Sequence, residues 1–377
     1  MLKKITVKNF KCFKNETVFD LRKTNYKFLE QNTCGKLLKG ALLVGDHASG
    51  KTTILQSIRL LPALLFRQGS CNGMPYQCIF SKENDSGLIY EFDIDGHDLV
   101  YSFTFSRDSF VEENLTVDGR AVIERLGKKG KWIAGKETVL WDIEDSQLFL
   151  KQVSMNPEIS GSEILRQFLA YLKKTIYIDG YTRKIAAFDG ESLCAEKYIE
   201  NYGVEKMNDF FTEYHFPYRL RYCREGEGTG QIFFRREENG GEIPACMESS
   251  GNRTLMNLLP AFFRGIESGG MLLIDSFGGG LHNKLEELLV RHVMKKGEKT
   301  QLIFASHSTN LLSNTILRPD QIYAVETGKE EGSRLHRFSD EQPRVAQNLE
   351  KMYLSGVFGG LPAYRMDDLS TVVMKNE

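Results

Sequence analysis

The chain has no apolar stretch approaching the roughly 20 residues needed to cross a bilayer. Its opening Met1-Leu2-Lys3-Lys4 runs straight into an alternating strand pattern instead of the apolar segment of a signal peptide, so a cytoplasmic location is expected. It has no C-x-x-C pair. The seven cysteines, Cys12, Cys34, Cys71, Cys78, Cys194, Cys223 and Cys246, are odd in number and scattered, which argues against a zinc site or redox pair and for reduced, mostly structural thiols. Cys71 and Cys78 are the nearest pair and read as loop thiols, because no second pair or histidine cluster stands near them. An excess of either charge is also missing. With 49 basic and 50 acidic side chains the net charge is −1, so no whole-molecule field attracts nucleic acid or an anionic membrane. A nucleic-acid partner would need a local patch, for which Lys128-Lys129-Gly130-Lys131, Arg235-Arg236 and Lys295-Lys296 are the candidates; short runs like these are usually solvated. Internal repeats, low-complexity tracts and sustained heptads are absent, which excludes long coiled-coil arms. What remains is an ordinary globular composition, 41% apolar and 26% charged, over 377 residues: enough for one large α/β domain with a sizeable insertion, or for two domains.

Against these absences one segment stands out. Gly45-Asp46-His47-Ala48-Ser49-Gly50-Lys51-Thr52 fits the phosphate-cradling pattern G-x-x-x-x-G-K-[ST] and follows the apolar run Ala41-Leu42-Leu43-Val44 that such a loop needs as its incoming strand. Glycines let backbone N–H groups converge on an anion, Lys51 neutralises the β- and γ-phosphates, and the Thr52 hydroxyl ligates Mg²⁺. Gly45, Ser49, Gly50, Lys51, Thr52 and Thr53 are therefore the expected nucleotide contacts, with ATP and Mg²⁺ as cofactors. Ile54, Leu55, Ile58 and Leu61 then recur at helical spacing, giving the helix whose N-terminus faces the phosphates; Pro62 is expected to end or kink it.

Elsewhere the pattern alternates. The segments 2–13 and 16–21 read as an antiparallel pair ahead of the loop, and 87–94 with 99–105 flank the turn-forming Asp95-Gly96-His97-Asp98 as a hairpin. From about 140 to 225 the reading is mainly helical, with Ile164, Leu165, Phe168, Leu169 and Leu172 spaced as a buried stripe. The last third alternates strand and helix: Met271-Leu272-Leu273-Ile274 and Leu302-Ile303-Phe304-Ala305 are continuous apolar runs suited to a parallel sheet, a helix over Leu285 to Val293 joins them, and Ile322-Tyr323-Ala324-Val325 is a further strand.

Three later segments carry chemistry. Met271 to Ile274 ends in Asp275, the carboxylate that would hold Mg²⁺ opposite the Thr52 hydroxyl. Ser306-His307 ends the next strand, where an imidazole reaches the γ-phosphate or is simply a satisfied core histidine. Glu248-Ser249-Ser250-Gly251-Asn252-Arg253 precedes the stripe Leu255, Leu258, Leu259 and Phe262; its serines are good helix caps, and the N–H groups behind them form an anion site.

In this order the pieces resemble the ABC-type ATPase heads of the SMC and RecF-like branch, and within it the AAA-family, abortive-infection-type ATPases of bacterial phage-defence operons. The segments Asn9-Phe10-Lys11-Cys12-Phe13, 306–312, 320–326 and 348–359 also carry the likeness, which covers both ends of the chain well and the middle loosely. The resemblance implies an α/β fold with mixed and parallel sheets around the P-loop and an inserted β-hairpin and helical region. It divides the chain into an N-terminal lobe (1–135), a mainly helical insertion (136–240) and a C-terminal lobe (241–377). It makes Ser249-Ser250-Gly251 the signature motif and so further nucleotide contacts, Asp275 the Walker B aspartate, Gly280-Leu281-His282 the D-loop and His307 the switch histidine. His282 is either part of that loop or a helix cap.

The chain departs from this pattern at one telling place. The family has a glutamate after the Walker B aspartate to polarise the attacking water, and here Ser276 stands instead. A serine hydroxyl cannot take that proton at neutral pH, and loss of a positioned base costs about 10² to 10⁴ in rate. Gly278-Gly279-Gly280 replaces the polar residues of the D-loop, while Glu286 and Glu287, on the following helix, are expected to lie well beyond the site. The catalytic set is thus His307, Asp275 and Ser276, with Thr52 and Asp275 as metal ligands and slow or absent hydrolysis. No effector chemistry is visible in the chain. The resemblance then implies a homodimer closed through ATP that senses infection and controls a separately encoded effector such as a nuclease. A RecF-like DNA-binding repair ATPase and a scaffold with structural nucleotide are the rivals.

Overall fold

The opening alternation forms β1 (Leu2–Lys8), which buries Leu2, Ile5 and Val7 and pairs antiparallel with β2 (Thr17–Asp20). The computed structural model describes residues 1–67, 76–78, 80–107, 109–134, 137–155, 162–224, 230–328 and 330–361; Cys71 and the end of the C-terminal lobe lie outside the described residues. A ribbon of β3 (Thr33–Cys34) and β4 (Leu37–Leu38) leads to β5 (Gly40–Gly45), all of whose residues are buried, and β5 feeds the phosphate-cradling loop and α1 (Lys51–Phe66). Pro62 does not end α1, which continues to Phe66. The hydrogen bond lost at the proline is outweighed by burial of Leu60, Leu61 and Leu65 around it.

A meander follows: β6 (Ser86–Ile94), β7 (His97–Phe105), β8 (Phe110–Val117), β9 (Arg120–Leu126), β10 (Lys129–Ala134) and β11 (Glu137–Asp142). The β6–β7 turn is only Asp95-Gly96, with φ of 50° and 89°, the left-handed pair that matches the twist of the flanking strands; His97 and Asp98 already belong to β7. These strands complete an eight-stranded sheet in the order β11-β10-β9-β8-β7-β6-β1-β2.

The stretch 136–240, expected as a mainly helical insertion, is more mixed. It holds α2 (Phe149–Met155), α3 (Glu163–Lys173), α4 (Ala195–Tyr202) and α5 (Glu205–Glu213), but also β11, β12 (Ile176–Asp179), β13 (Lys184–Ala187), β14 (Tyr218–Cys223) and β15 (Gln231–Arg236). β12 pairs parallel with β17 (Met271–Phe277) and so belongs to the central sheet rather than to an appendage. β14 and β15, with β16 (Glu242–Pro244), make a separate three-stranded sheet ahead of α6 (Ser250–Ser268). The chain then alternates as its pattern implies: β17, α7 (Asn283–Lys296), β18 (Gln301–Ser306), β19 (Ile322–Gly328), β20 (Gly332–Arg337) and α8 (Leu349–Leu354).

The central sheet has seven strands in the order β13-β12-β17-β18-β5-β19-β20, parallel from β12 to β19 with antiparallel strands at both edges. Alternate residues of one strand enter different cores. Ala41 and Leu43 of β5 pack with α1, α3 and the eight-stranded sheet, while Leu42 and Val44 pack with α4 to α7. A parallel sheet covered on both faces explains the continuous apolar runs. No helix among the described residues is long and apolar enough to cross a membrane.

Candidate nucleotide-binding site

The C-terminal ends of β5, β17 and β18 open on one side of the central sheet, where a switch in strand order places ligands in open α/β folds. The loop after β5 is tightly constrained. Gly45 has φ of 146°, and a Cβ on it would fall 2.3 Å from Val325 O on β19. Gly50, with φ of 115°, precedes the first turn of α1, and a Cβ there would fall 2.7 Å from Cys12 Sγ. Only glycine fits either position.

Lys51 Nζ arches over the loop and donates to Gly45 O at 3.0 Å and Asp46 O at 2.6 Å, and burial holds its ammonium below the usual lysine range. Ser49 Oγ is buried without a hydrogen-bond partner. An orphaned hydroxyl in a glycine-bounded loop beside a lysine is what a phosphate oxygen would satisfy, so the residues present fit a triphosphate. A cleft of about 350 Å³ adjoins the loop, lined by Lys11, Cys12, Gln77 and residues 48–53. Thr53 is buried behind it, its Oγ1 accepting from Cys12 Sγ at 3.3 Å.

Thr52 Oγ1 donates to Asp275 Oδ1 at 3.0 Å, and Tyr177 Oη from β12 donates to Asp275 Oδ2 at 3.3 Å. Burial pushes the Asp275 carboxyl above its ordinary range, and the Thr52 and Tyr177 hydrogen bonds pull it partly back. A hydroxyl and a carboxylate at this distance form the protein's share of an octahedral Mg²⁺ shell, so Thr52 and Asp275 fit that ion too. Among the described residues no cluster of three or more His, Cys, Asp or Glu side chains is arranged for any other metal. Sequence reasoning missed Tyr177. The available signal was the run Ile176-Tyr177-Ile178-Asp179, an apolar strand ending in a carboxylate like Met271 to Asp275, and the two aspartates are partners in the β12–β17 register.

Ser276 occupies the left-handed region, with φ of 55°, inside a β17 bulge that shifts the register to β18 between Ile274 and Phe277. The adjoining β12 backbone leaves no slack: Gly180 N–H donates to Asp275 O at 2.8 Å, and a Cβ on Gly180 would fall 2.3 Å from Ser276 O. Bulges of this kind re-aim side chains beside active sites.

His307 follows β18, and its ring lies 4.5 Å from that of His47 in the P-loop, tilted by 32°. Burial first, then the neighbouring Lys51 ammonium, hold the His307 imidazole below the usual histidine range. It is therefore not a core histidine remote from the loop. His282 caps α7, its Nδ1 accepting from Lys284 N–H at 3.2 Å.

Ser249 caps α6, its Oγ accepting from Asn252 N–H at 3.3 Å; Ser249 and Ser250 are exposed, and a Cβ on Gly251 would lie 3.5 Å from Gly280 O in the turn after β17. Glu248 braces this turn: it accepts from Ser249 N–H at 2.8 Å and Arg236 Nη2 at 2.7 Å. Burial opposes ionisation of Glu248, but these donors together with Asn252 hold its carboxyl below the usual range. Within the basic runs, Lys128 pairs with Asp145, Lys131 with Glu124, Arg236 with Glu248, and Lys295 and Lys296 with Glu213.

Among solved structures the chain is similar to the SMC head domain from Thermotoga maritima, at 14% identity over 89% of this chain and 98% of that one with a TM-score of 0.48. It is also similar to an SmcHead bound to the C-winged helix domain of ScpA, at 14% identity over 89% and 96% with a TM-score of 0.49. A third is an Smc head domain with an extended coiled coil bound to the C-terminal domain of ScpA derived from Pyrococcus furiosus, at 13% over 90% and 97% with a TM-score of 0.48. No curated protein matches the chain. Residues 41–313, which run from β5 through the P-loop, Asp275 and His307, match the family model "AAA domain, putative AbiEii toxin, Type IV TA system", and the chain belongs to that family.

Proposed function

We propose that this chain is an ABC-type ATPase subunit that binds Mg·ATP, closes into a two-fold dimer around it, and serves a bacterial abortive-infection system by controlling a separately encoded effector. The observation that carries the reading is the convergence of Lys51, Thr52, Asp275 and His307 on one loop, with the signature turn Ser249-Ser250-Gly251 exposed on the surface next to Gly280. Gly45, Ser49 and Gly50 would wrap the phosphates, Lys51 would neutralise them, and the signature N–H groups of one copy would cap the γ-phosphate held by the other. Mg²⁺ on Thr52 and Asp275 would offset the charge of the β- and γ-oxygens. The family description, with its AbiEii toxin and toxin–antitoxin system, supports the abortive-infection assignment.

Hydrolysis in this reading is slow, because Ser276 supplies no base, and ATP acts mainly to hold the assembly together. Titration of the chain with Mg·ATP tests the nucleotide site: binding abolished in Lys51→Ala supports it, and unaltered binding contradicts it. Phage plating on cells carrying the native operon tests the defence role, with Lys51→Ala expected to remove protection. Plating unaffected by loss of the wild-type gene contradicts that role.

A further inference from the structure

Glu286 lies in the first turn of α7, a position expected to sit well beyond the site, yet its carboxylate turns back toward the end of β18. Ser308 Oγ donates to Oε1 at 3.0 Å and Ser306 Oγ donates to Oε2 at 3.3 Å. Ser306 Oγ accepts in turn from Ser308 N–H at 3.0 Å. These serines bracket His307, whose ring lies against His47 of the P-loop. On its other side the carboxylate fills the space beside Gly278: a Cβ there would fall 2.2 Å from Glu286 Oε1. Glu286 is only 1% exposed, and burial pushes its carboxyl upward while the two serine hydrogen bonds oppose that shift. A buried acid held by two hydroxyls adds little net stability, because desolvation offsets the hydrogen bonds. What it fixes is geometry, joining the turn after Ser276 to the turn that carries His307.

We infer that Glu286 is a positioning residue for recognition of the terminal phosphate of a nucleoside triphosphate: it locks Ser306-His307-Ser308 against the Gly278 turn and so presents His307 to the P-loop. The inference rests on the nucleotide-binding reading above. Its signature is selectivity. A loosened His307 weakens binding of a triphosphate and leaves a diphosphate, which has no γ-phosphate, nearly untouched.

The test is calorimetric titration of the full chain with a non-hydrolysable ATP analogue and with ADP, both with Mg²⁺, for the wild type, Glu286→Ala, Ser308→Ala, His307→Ala and the Glu286→Ala/His307→Ala double variant. Glu286→Ala is expected to reduce the preference for the analogue over ADP about tenfold, the size expected from releasing hydrogen bonds to a charged group. Ser308→Ala shifts it in the same direction by less, and carries the test if Glu286→Ala does not fold. The double variant is no worse than His307→Ala alone, as required if Glu286 acts through His307. A wild-type preference in Glu286→Ala, or in Ser308→Ala if it alone folds, overturns the proposal when His307→Ala has lost that preference. If His307→Ala itself keeps the wild-type preference, the reading of the nucleotide site fails and the positioning role falls with it.

Discussion

Thr52 Oγ1 donates to Asp275 Oδ1 across 3.0 Å, tying the first turn of α1 to the end of β17. The two residues are far apart in the chain and come from different strand–loop units, so only the parallel sheet brings them together. Their closeness makes a sharp statement about Mg²⁺. Asp275→Asn is expected to weaken ATP binding about tenfold or more in Mg²⁺ and to leave binding in EDTA unchanged. Equal losses with and without the ion, measured by titration calorimetry, contradict the metal role of Asp275.

Ser276 carries a second expectation, for both rate and stability. Ser276→Glu supplies a carboxylate directly after Asp275, and steady-state turnover is expected to rise about 100-fold, the lower end for a positioned base. Because residue 276 is left-handed, Ser276→Gly is expected to stabilise the fold by about 1 kcal/mol in urea denaturation. A Ser276→Glu variant no faster than wild type contradicts the account of slow hydrolysis.

The nucleotide loop and the strand ending in Asp275 were legible because each is a contiguous pattern whose chemistry is local. β12 was not, since Ile176 to Asp179 is a short run among helices and only its pairing with β17 gives it a place in the central sheet. Glu286 was misplaced for a related reason. Counting along α7 puts it farther from Asp275 with each residue, but the Gly278-Gly279-Gly280 turn folds the helix back so that its first turn faces β18. Glu113 was invisible as a core residue, because a register shift between β7 and β8 near Phe110 changes the parity of the strand and puts Glu113 on the buried side.

That buried carboxylate supports a stability prediction. Glu113 is fully buried and accepts from Tyr101 Oη at 2.8 Å, Phe149 N–H at 2.6 Å and Leu150 N–H at 2.7 Å, with Arg125 at 3.6 Å. It caps the start of α2 from inside the core and balances a buried guanidinium. Glu113→Ala leaves the Arg125 guanidinium with backbone carbonyls but without its buried carboxylate, and removes the acceptor of the Tyr101, Phe149 and Leu150 donors, which is expected to cost about 3–5 kcal/mol. Urea unfolding measures it; a loss below about 1 kcal/mol contradicts the capping role.

Stability is also expected to depend on pH through His292. Burial first, with Lys295 and Lys296 adding to it against Glu213, lowers its pKa from 6.5 to about 4, and Tyr214 Oη lies 2.8 Å from Nδ1. The folded state therefore refuses a proton that the unfolded chain accepts, so stability is complete above about pH 6.5 and falls as pH drops toward 4. The share from this one group is about 3 kcal/mol. Urea midpoints across that window should fall less steeply in His292→Asn than in wild type; equal slopes contradict the assignment.

The claim on which the account turns is that nucleotide joins two copies of the chain through Ser249-Ser250-Gly251. Light scattering of the purified protein with and without Mg·ATP measures it directly. A molar mass that doubles from 43.0 kDa when Mg·ATP is added is expected, and no doubling in Ser250→Arg, whose own P-loop is left intact. A mass that is the same with and without Mg·ATP, or doubling that survives in Ser250→Arg, contradicts it.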